Sequence, residues 1–406
     1  MNVKPKPKPS KEVISKLGEK GPQTRITCGP TVVQQDLLRV HRGLDMLKVS
    51  FWVEWYDETL LDDLDRRKRE LQTTDFDSEV FIKEHYWEWN LLRSGTKHFN
   101  YRLVSGDVKL MINRRKAEGT VPTVRLEIGS LSAQANCFTI YEQVVFFLES
   151  HGAKIVKEHI SEVHLAADFI GLDIKKLYVE SRDNWIARST TFSVFFKHWK
   201  LTGVSIGKGD LMMRIYDKVL ELGHAGHKQE VFAELWGVEK YNDLPVTRVE
   251  YQLRRATLRQ FSGEVGTINT VKDLLFALKS LWNYCTQDWS RFTETIVNRN
   301  HNQSKAKISE FWEAVQSVVW TGVHEFQRGK VIAHKDIDAL RKQARGILMS
   351  ICAAFGMDSG DIKTITDVAH VIIETDLQEF FKDQEEFIKR MDKKKTAIFN
   401  KCDIPF

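Results

Sequence analysis

In the segment "LMMRIYDK", Arg214, Tyr216 and Lys218 take alternate positions, and Met213 and Ile215 belong to the other alternate set. Strand side chains alternate in direction, so this spacing puts a phenol and two cations on one face and apolar residues on the other. A phenol titrates near pH 10 and is a poor nucleophile at neutral pH. Flanking positive charge favours the phenolate, and a metal on a target phosphate makes its phosphorus easier to attack. The chemistry these residue types can do is attack by Tyr216 on a phosphodiester, with Arg214 or Lys218 stabilising the developing charge. A half-buried tyrosine between two solvated cations fits the segment equally well.

Two further stretches carry candidate metal ligands. In "EVHLAADF", His164 and Asp168 are four residues apart, so on a strand they share a face with only Ala166 between them. In "TRVEYQLRR", Glu250 shares its face with Arg248 and Gln252. One imidazole and two carboxylates suit a divalent cation such as Mg²⁺ or Mn²⁺. The competing expectation is a salt bridge, such as Asp168 with an arginine, because a buried carboxylate needs a partner. A nucleotide-binding phosphate loop is excluded by spacing: Gly203 and Gly207 have three residues between them, not four, and Lys208 precedes Gly209, not Ser or Thr.

These residues need strands to hold them. "TGVSI" and "LMMRIYDK" flank "GKGD", a turn sequence, which predicts a hairpin. "LKVSFWVEW", "FNYRLVSGDVKLMIN", "TVRLEIGSL", "SEVHLAADFIGL" and "TRVEYQLRR" also alternate with period two and read as strands. "DSEVFIKEHYWEW" and "TIYEQVVFFLESHG" read as helices from apolar residues at three and four, and "TVKDLLFALKSLWNYC" as an amphipathic one. The expectation is an α+β protein: a catalytic domain over 41–300 built on a mostly antiparallel sheet with flanking helices, then an all-helical region over 301–406. Residues 1–40 read as a flexible basic arm, since the first 25 carry seven Lys or Arg against two Glu and the Lys-Pro repeats cannot hold a helix. In the last helix Phe380, Phe381, Phe387 and Ile388 form a stripe for packing or docking.

Composition sets the class. Hydrophobic residues at 42% and charged residues at 28% of 406 describe a globular chain, not a disordered one. A net charge of +5 allows nucleic acid as a partner without requiring it. The five cysteines contain no C-x-x-C pair, so neither a zinc site nor a disulfide framework is indicated. With no apolar run long enough for a membrane helix and no apolar block at the N-terminus, the expected location is cytoplasmic.

Taken together, "TGVSIGKGDLMMRIYDK", "VHLAADF" and "RVEYQLR" resemble the replication initiation factor family, the rolling-circle plasmid initiators and related relaxases of conjugative elements. The resemblance covers roughly residues 43–300. It implies a DNA nicking-closing protein in which Tyr216 cleaves one strand and keeps the 5′-phosphate, Asp168 and Glu250 ligate a divalent metal, and the target is a double-stranded origin with a single-stranded nick region. A helicase and a second copy of the chain are partners that reading allows. His164 stands where that family usually has aspartate, and Glu162 where arginine is common. Asp45 in "GLDML" falls on the segment resembling the family's opening strand. The aromatic clusters "FWVEWY" and "HYWEW" are core builders that could also stack on bases.

Other readings stay open. A tyrosine recombinase also uses a tyrosine on DNA, but from a helical domain and without metal, whereas Tyr216 lies on a predicted strand. None of the thirteen histidines is paired with another two residues away, so the histidine-hydrophobe-histidine relaxase motif is absent. The non-enzyme alternative is a DNA-binding or assembly protein with a structural Tyr216.

Overall fold

The computed structural model describes residues 39–356 apart from 85–86, 118, 120, 224–225, 265, 298–302 and 330–336, with scattered positions between 366 and 390. The first half of this chain runs β1 (Arg39–Trp55), α1 (Thr59–Gln72), β2 (Ser78–Glu84), β3 (Trp87–Leu92), β4 (Tyr101–Ser105), β5 (Val108–Ile112), β6 (Val124–Ile128), α2 (Ser130–Ser150) and β7 (Ala153–Ile170). Next come β8 (Trp185–Ala187), β9 (Phe192–Lys197), β10 (Lys200–Lys208), β11 (Leu211–Asp217), α3 (Lys218–Leu222), α4 (His227–Trp236) and β12 (Val246–Arg254). The rest comprises α5 (Arg255–Leu258), β13 (Phe261–Gly263), β14 (Gly266–Thr267), α6 (Val271–Asn283), β15 (Ser290–Phe292), α7 (Glu310–Gln316), β16 (Gln327–Arg328) and α8 (Ile337–Ala354).

Eleven strands form one sheet in the order β2-β3-β4-β5-β6-β1-β7-β12-β11-β10-β9, every neighbouring pair antiparallel. With helices packed on it, this is an α+β fold. The two long strands β1 and β7 lie at its centre and bring the N-terminal meander beside the β10–β11 hairpin and β12. On β7, β12 and β11 one set of alternate residues is apolar and fully buried: Leu165, Ala167, Phe169, Val249, Tyr251, Leu253, Met213 and Ile215. The opposite set carries His164, Asp168, Arg248, Glu250, Gln252, Arg214 and Tyr216, as strand alternation requires. The "GKGD" turn forms as its sequence predicts: Lys208 and Leu211 close the ladder, and Gly209 takes φ +77°, a conformation open to glycine at little steric cost.

One expected helix is absent. Residues 78–84 and 87–92 of "DSEVFIKEHYWEW" and its continuation form the hairpin β2–β3, because Trp89 and Leu91 are fully buried and alternate with the more accessible Glu88 and Asn90. Trp87 stacks on Trp89 with ring centroids 4.8 Å apart, and Lys83 faces Glu88 across the strands at 2.7 Å. Period-two burial thereby overrides the helical spacing of the same apolar residues. His85 and Tyr86 lie outside the described residues.

The core runs past residue 300. Phe311, Trp312, Val315, Trp320 and Phe326 belong to the same cluster as Tyr251, Leu274 and Trp282. Trp282 donates to the Val315 carbonyl at 3.0 Å, Trp312 to the Thr286 carbonyl at 2.9 Å, and β16 pairs with β13. A capping box starts α6, in which Thr270 and Asp273 bond each other's backbone amides. Where an all-helical region was expected over 301–406, α7 is followed by irregular chain and β16 before α8. The arm over 1–38 and Phe380, Phe381 and Phe387 of the C-terminal stripe lie outside the described residues. No described helix is long and apolar enough to cross a membrane.

The two edge residues of the β9–β10 turn, His198 and Trp199, have φ of +49° and +64°. Neither is glycine, and left-handed geometry at such positions costs on the order of 1–3 kcal/mol each.

Candidate metal and tyrosine site

Strand register sets the site out in rows. Arg214 on β11 lies opposite Glu250 on β12, which lies opposite Ala166 on β7; Tyr216, Arg248 and Asp168 form the next row. His164 is opposite Gln252. On β1 the ladder slips between Leu44 and Met46, so Asp45 is the extra residue of a β-bulge. Such a bulge re-aims its side chain, and here Asp45 joins the polar face of β7 and β12.

Glu250 sits at the centre with side-chain exposure of only 5%. Its Oε2 accepts from the Tyr216 hydroxyl at 2.8 Å, while its Oε1 accepts from Arg214 at 2.9 Å and lies 2.9 Å from His164 Nδ1. Arg214 also donates to Gln252 Oε1 at 2.9 Å. The other ring nitrogen of His164, Nε2, is 3.0 Å from Glu162 Oε1, and Glu162 is held in turn by Lys48 and Arg254. Asp45 accepts from Ser130 at 2.7 Å and from Arg248, both on Oδ1.

Ligand-capable atoms of Asp45, His164 and Glu250 all lie within 4.8 Å of one another. Among the described residues this is the one such group of three. The donor set fits a divalent cation: two carboxylates balance its charge, and hard oxygens with one imidazole are what Mg²⁺ or Mn²⁺ accept. The hydrogen bond of His164 to Glu162 supports the fit, because metal-binding histidines present one nitrogen and anchor the other on a carboxylate.

Asp168 stands outside this group. Both its oxygens are taken by Arg248, whose guanidinium reaches Oδ2 at 2.7 Å, and Trp236 Nε1 donates to Oδ2 at 2.9 Å. Arg248 itself has no exposed side-chain surface and lies over the Phe232 ring. The pair is thus a buried salt bridge beneath α4, the arginine partnership weighed against metal ligation. Lys218 is also buried: it opens α3, bonds Glu221 at 2.6 Å, and sits 5.9 Å from the Tyr216 ring centroid. Of the three basic side chains on this face only Arg214, at 34% exposure, has an edge that solvent can reach.

Burial and coupling set the charges. Burial, reinforced by the Glu250 carboxylate, raises Tyr216 well above the ordinary tyrosine value, so the resting phenol is protonated. Burial would lower His164, but its bonds to Glu162 and Glu250 outweigh that and raise it. The His164 hydrogen bond holds Glu162 at about 2. Burial would raise Asp45 and Glu250; Arg248 and Lys218 outweigh it at Asp45, and His164 and Arg248 do so at Glu250, so both stay ionised. Burial and Arg248 lower Lys218.

Sequence reasoning put Gln252 on the face of Glu250 without a role, missed Ser130 and Trp236, and placed Glu162 only by family contrast. Glu162 was within reach, since it lies two residues from His164 on the same strand face. The bulge that turns in Asp45 has no signal in "GLDML". Phe51, Trp52 and Trp89 of the aromatic clusters are buried in the sheet, out of reach of a base; Tyr56 is 76% exposed.

Strand-borne phenol, imidazole, carboxylates and guanidinium gathered around Glu250 define a polar site on an antiparallel sheet. No family model matches the sequence, and no curated protein matches it. Among solved structures, the chain is similar to a rolling circle replication initiator protein from Geobacillus stearothermophilus, with 12% identity, a TM-score of 0.41, and coverage of 70% of this chain and 100% of that one.

Proposed function

We propose that this chain is a metal-dependent DNA nicking-closing protein that initiates rolling-circle replication or conjugative transfer, with Tyr216 as nucleophile. The observation that carries the reading is the sharing of Glu250 between the Tyr216 hydroxyl and His164, within the group that also holds Asp45. The residues that would hold the cation are Asp45, His164 and Glu250, with Asp168 assigned instead to bracing Arg248. A bound divalent ion would withdraw charge from a phosphate oxygen.

The chain's own groups do the rest. Tyr216 Oη forms a bond to phosphorus as the bond from phosphorus to the 3′-oxygen breaks; the phenolic proton departs along its hydrogen bond to Glu250, and the leaving oxygen takes up a proton. The phosphotyrosine conserves the energy of the cleaved link, so the reverse step reseals the strand. Arg214, being accessible, is the cation placed to meet the phosphate, while buried Lys218 and Arg248 hold positive charge beside the ring.

A second reading, a DNA-binding or assembly protein with a structural Tyr216, draws support from the hydrogen bond that already satisfies the phenol. Incubation of supercoiled plasmid carrying the protein's own locus with Mn²⁺ or Mg²⁺ separates the two. The proposal expects nicked circles with covalently attached protein, lost in Tyr216→Phe while DNA binding persists; normal nicking by that variant would exclude Tyr216 as nucleophile.

A further inference from the structure

The row of residues that contains Tyr216 continues to the edge of the sheet. Gly203 on β10 is opposite Tyr216 and also opposite Phe195 on β9. Phe195 therefore stands on the tyrosine's face, two strand spacings or roughly 10 Å away. Nothing but a glycine lies between them in that row. A side chain there would collide, because a Cβ on Gly203 would sit 3.0 Å from Tyr216 Cβ and 2.9 Å from the Ile215 carbonyl.

Beyond Phe195 the hairpin tip, residues 195–200, is exposed throughout. Phe195 is 53% exposed, Phe196 60% and Trp199 99%. Lys197 and Lys200 face each other directly as a cross-strand pair, an arrangement that repels, and among the described residues neither has a carboxylate partner. The turn residues His198 and Trp199 are held in left-handed backbone geometry. The like-charge pair and the strained turn each lower stability, and the three exposed rings add nothing to the core. Exposed aromatic surface beside unpaired positive charge is complementary to a ligand with flat apolar faces and an anionic backbone.

From this we infer that the β9–β10 tip is a stacking platform for unpaired bases of single-stranded DNA, with Lys197 and Lys200 on its phosphates, leading the strand to Tyr216. The inference rests on the reading of the chain as a DNA-nicking protein. Two separate measurements distinguish its failure from the failure of that reading.

Binding of a fluorescein-labelled oligothymidylate is measured by anisotropy in EDTA, where no metal-dependent cleavage occurs. Phe195→Ala/Trp199→Ala should weaken it at least roughly tenfold while a blunt duplex of equal length binds as before. Trp199→Phe should keep most of the affinity. Trp199→Gly should raise the thermal midpoint, since glycine accepts the left-handed turn, and yet weaken oligothymidylate binding. Absence of wild-type binding, unchanged affinity in the double variant, or equal losses on single strand and duplex would each overturn the inference. So would sedimentation showing a wild-type dimer that Trp199→Ala splits, because the edge would then be a self-association surface. Wild-type binding through the tip without any Tyr216 adduct on plasmid would instead sink the nicking reading and leave the platform standing.

Discussion

Tyr216 and His164 contact opposite oxygens of one carboxylate: Glu250 Oε2 is 2.8 Å from the phenol and Oε1 is 2.9 Å from the imidazole. Three strands converge on this side chain, β7 through His164, β11 through Tyr216 and Arg214, and β12 through Glu250 itself. A change at Glu250 should therefore alter cation affinity and nucleophile together.

Glu250→Gln keeps the shape but removes the charge. Mn²⁺ affinity, followed by electron paramagnetic resonance of the free ion, should fall by at least about tenfold, in line with the loss of one anionic ligand. Plasmid nicking should fall with it. Retention of wild-type Mn²⁺ affinity would remove Glu250 from the ligand set.

Asp45 and Asp168 should separate by phenotype. Asp45→Asn should lower Mn²⁺ affinity. Asp168→Asn should leave that affinity nearly intact but destabilise the fold by roughly 3–5 kcal/mol, because Arg248 is then a buried cation without its main counter-charge. Urea unfolding and Mn²⁺ titration on the two variants test this; a reversed pattern would return Asp168 to the metal.

The sheet and its polar face were legible because they depend on alternation, and alternation is local. Tyr216 shares a face with Arg214, and Glu250 with Arg248 and Gln252, because of spacing that can be counted in the chain. What could not be counted is which carboxylate meets which cation. Asp168 and Arg248 find each other by register across β7 and β12, and Asp45 enters through a bulge, which breaks the counting rule itself. The hairpin of β2 and β3 was hidden for a related reason: Ile82, Tyr86 and Trp89 recur at four and three as on a helix, Phe81, Trp87 and Trp89 keep a period of two in the same stretch, and long-range pairing decided between them.

Away from the site, His159 sets a pH dependence of stability. Its ring packs on Trp52 at 4.9 Å, and burial, with Arg255, Lys157 and Arg125 nearby, lowers its pKa to about 4. The folded value lies below the ordinary 6.5, so the unfolded chain binds the extra proton between those limits. The stability contribution is complete above about pH 6.5 and is lost as the pH falls toward 4. After discounting for partial solvent access it is on the order of 1 kcal/mol. Denaturant midpoints at pH 7 and pH 5 should therefore differ less in His159→Gln than in wild type; an equal difference would show that His159 is not the source.

Gly203 tests whether nicking depends on the placement of Tyr216, independently of charge. It carries no chemistry, it lies in a strand, and its missing side chain leaves room for the Tyr216 Cβ beside β10. In Gly203→Ala the new methyl must push on Tyr216 Cβ or on the Ile215 carbonyl, so either the ring or the strand shifts. Because in-line attack depends on sub-ångström placement of the nucleophile, a shift of about 1 Å is enough to cost roughly a hundredfold in rate. The expected result is a large fall in single-turnover nicking with Mn²⁺ affinity unchanged and a stability loss of about 1–3 kcal/mol. Full nicking by a folded Gly203→Ala protein would mean that the reacting oxygen is not the one beside Gly203, and would count against Tyr216 as strongly as an active Tyr216→Phe.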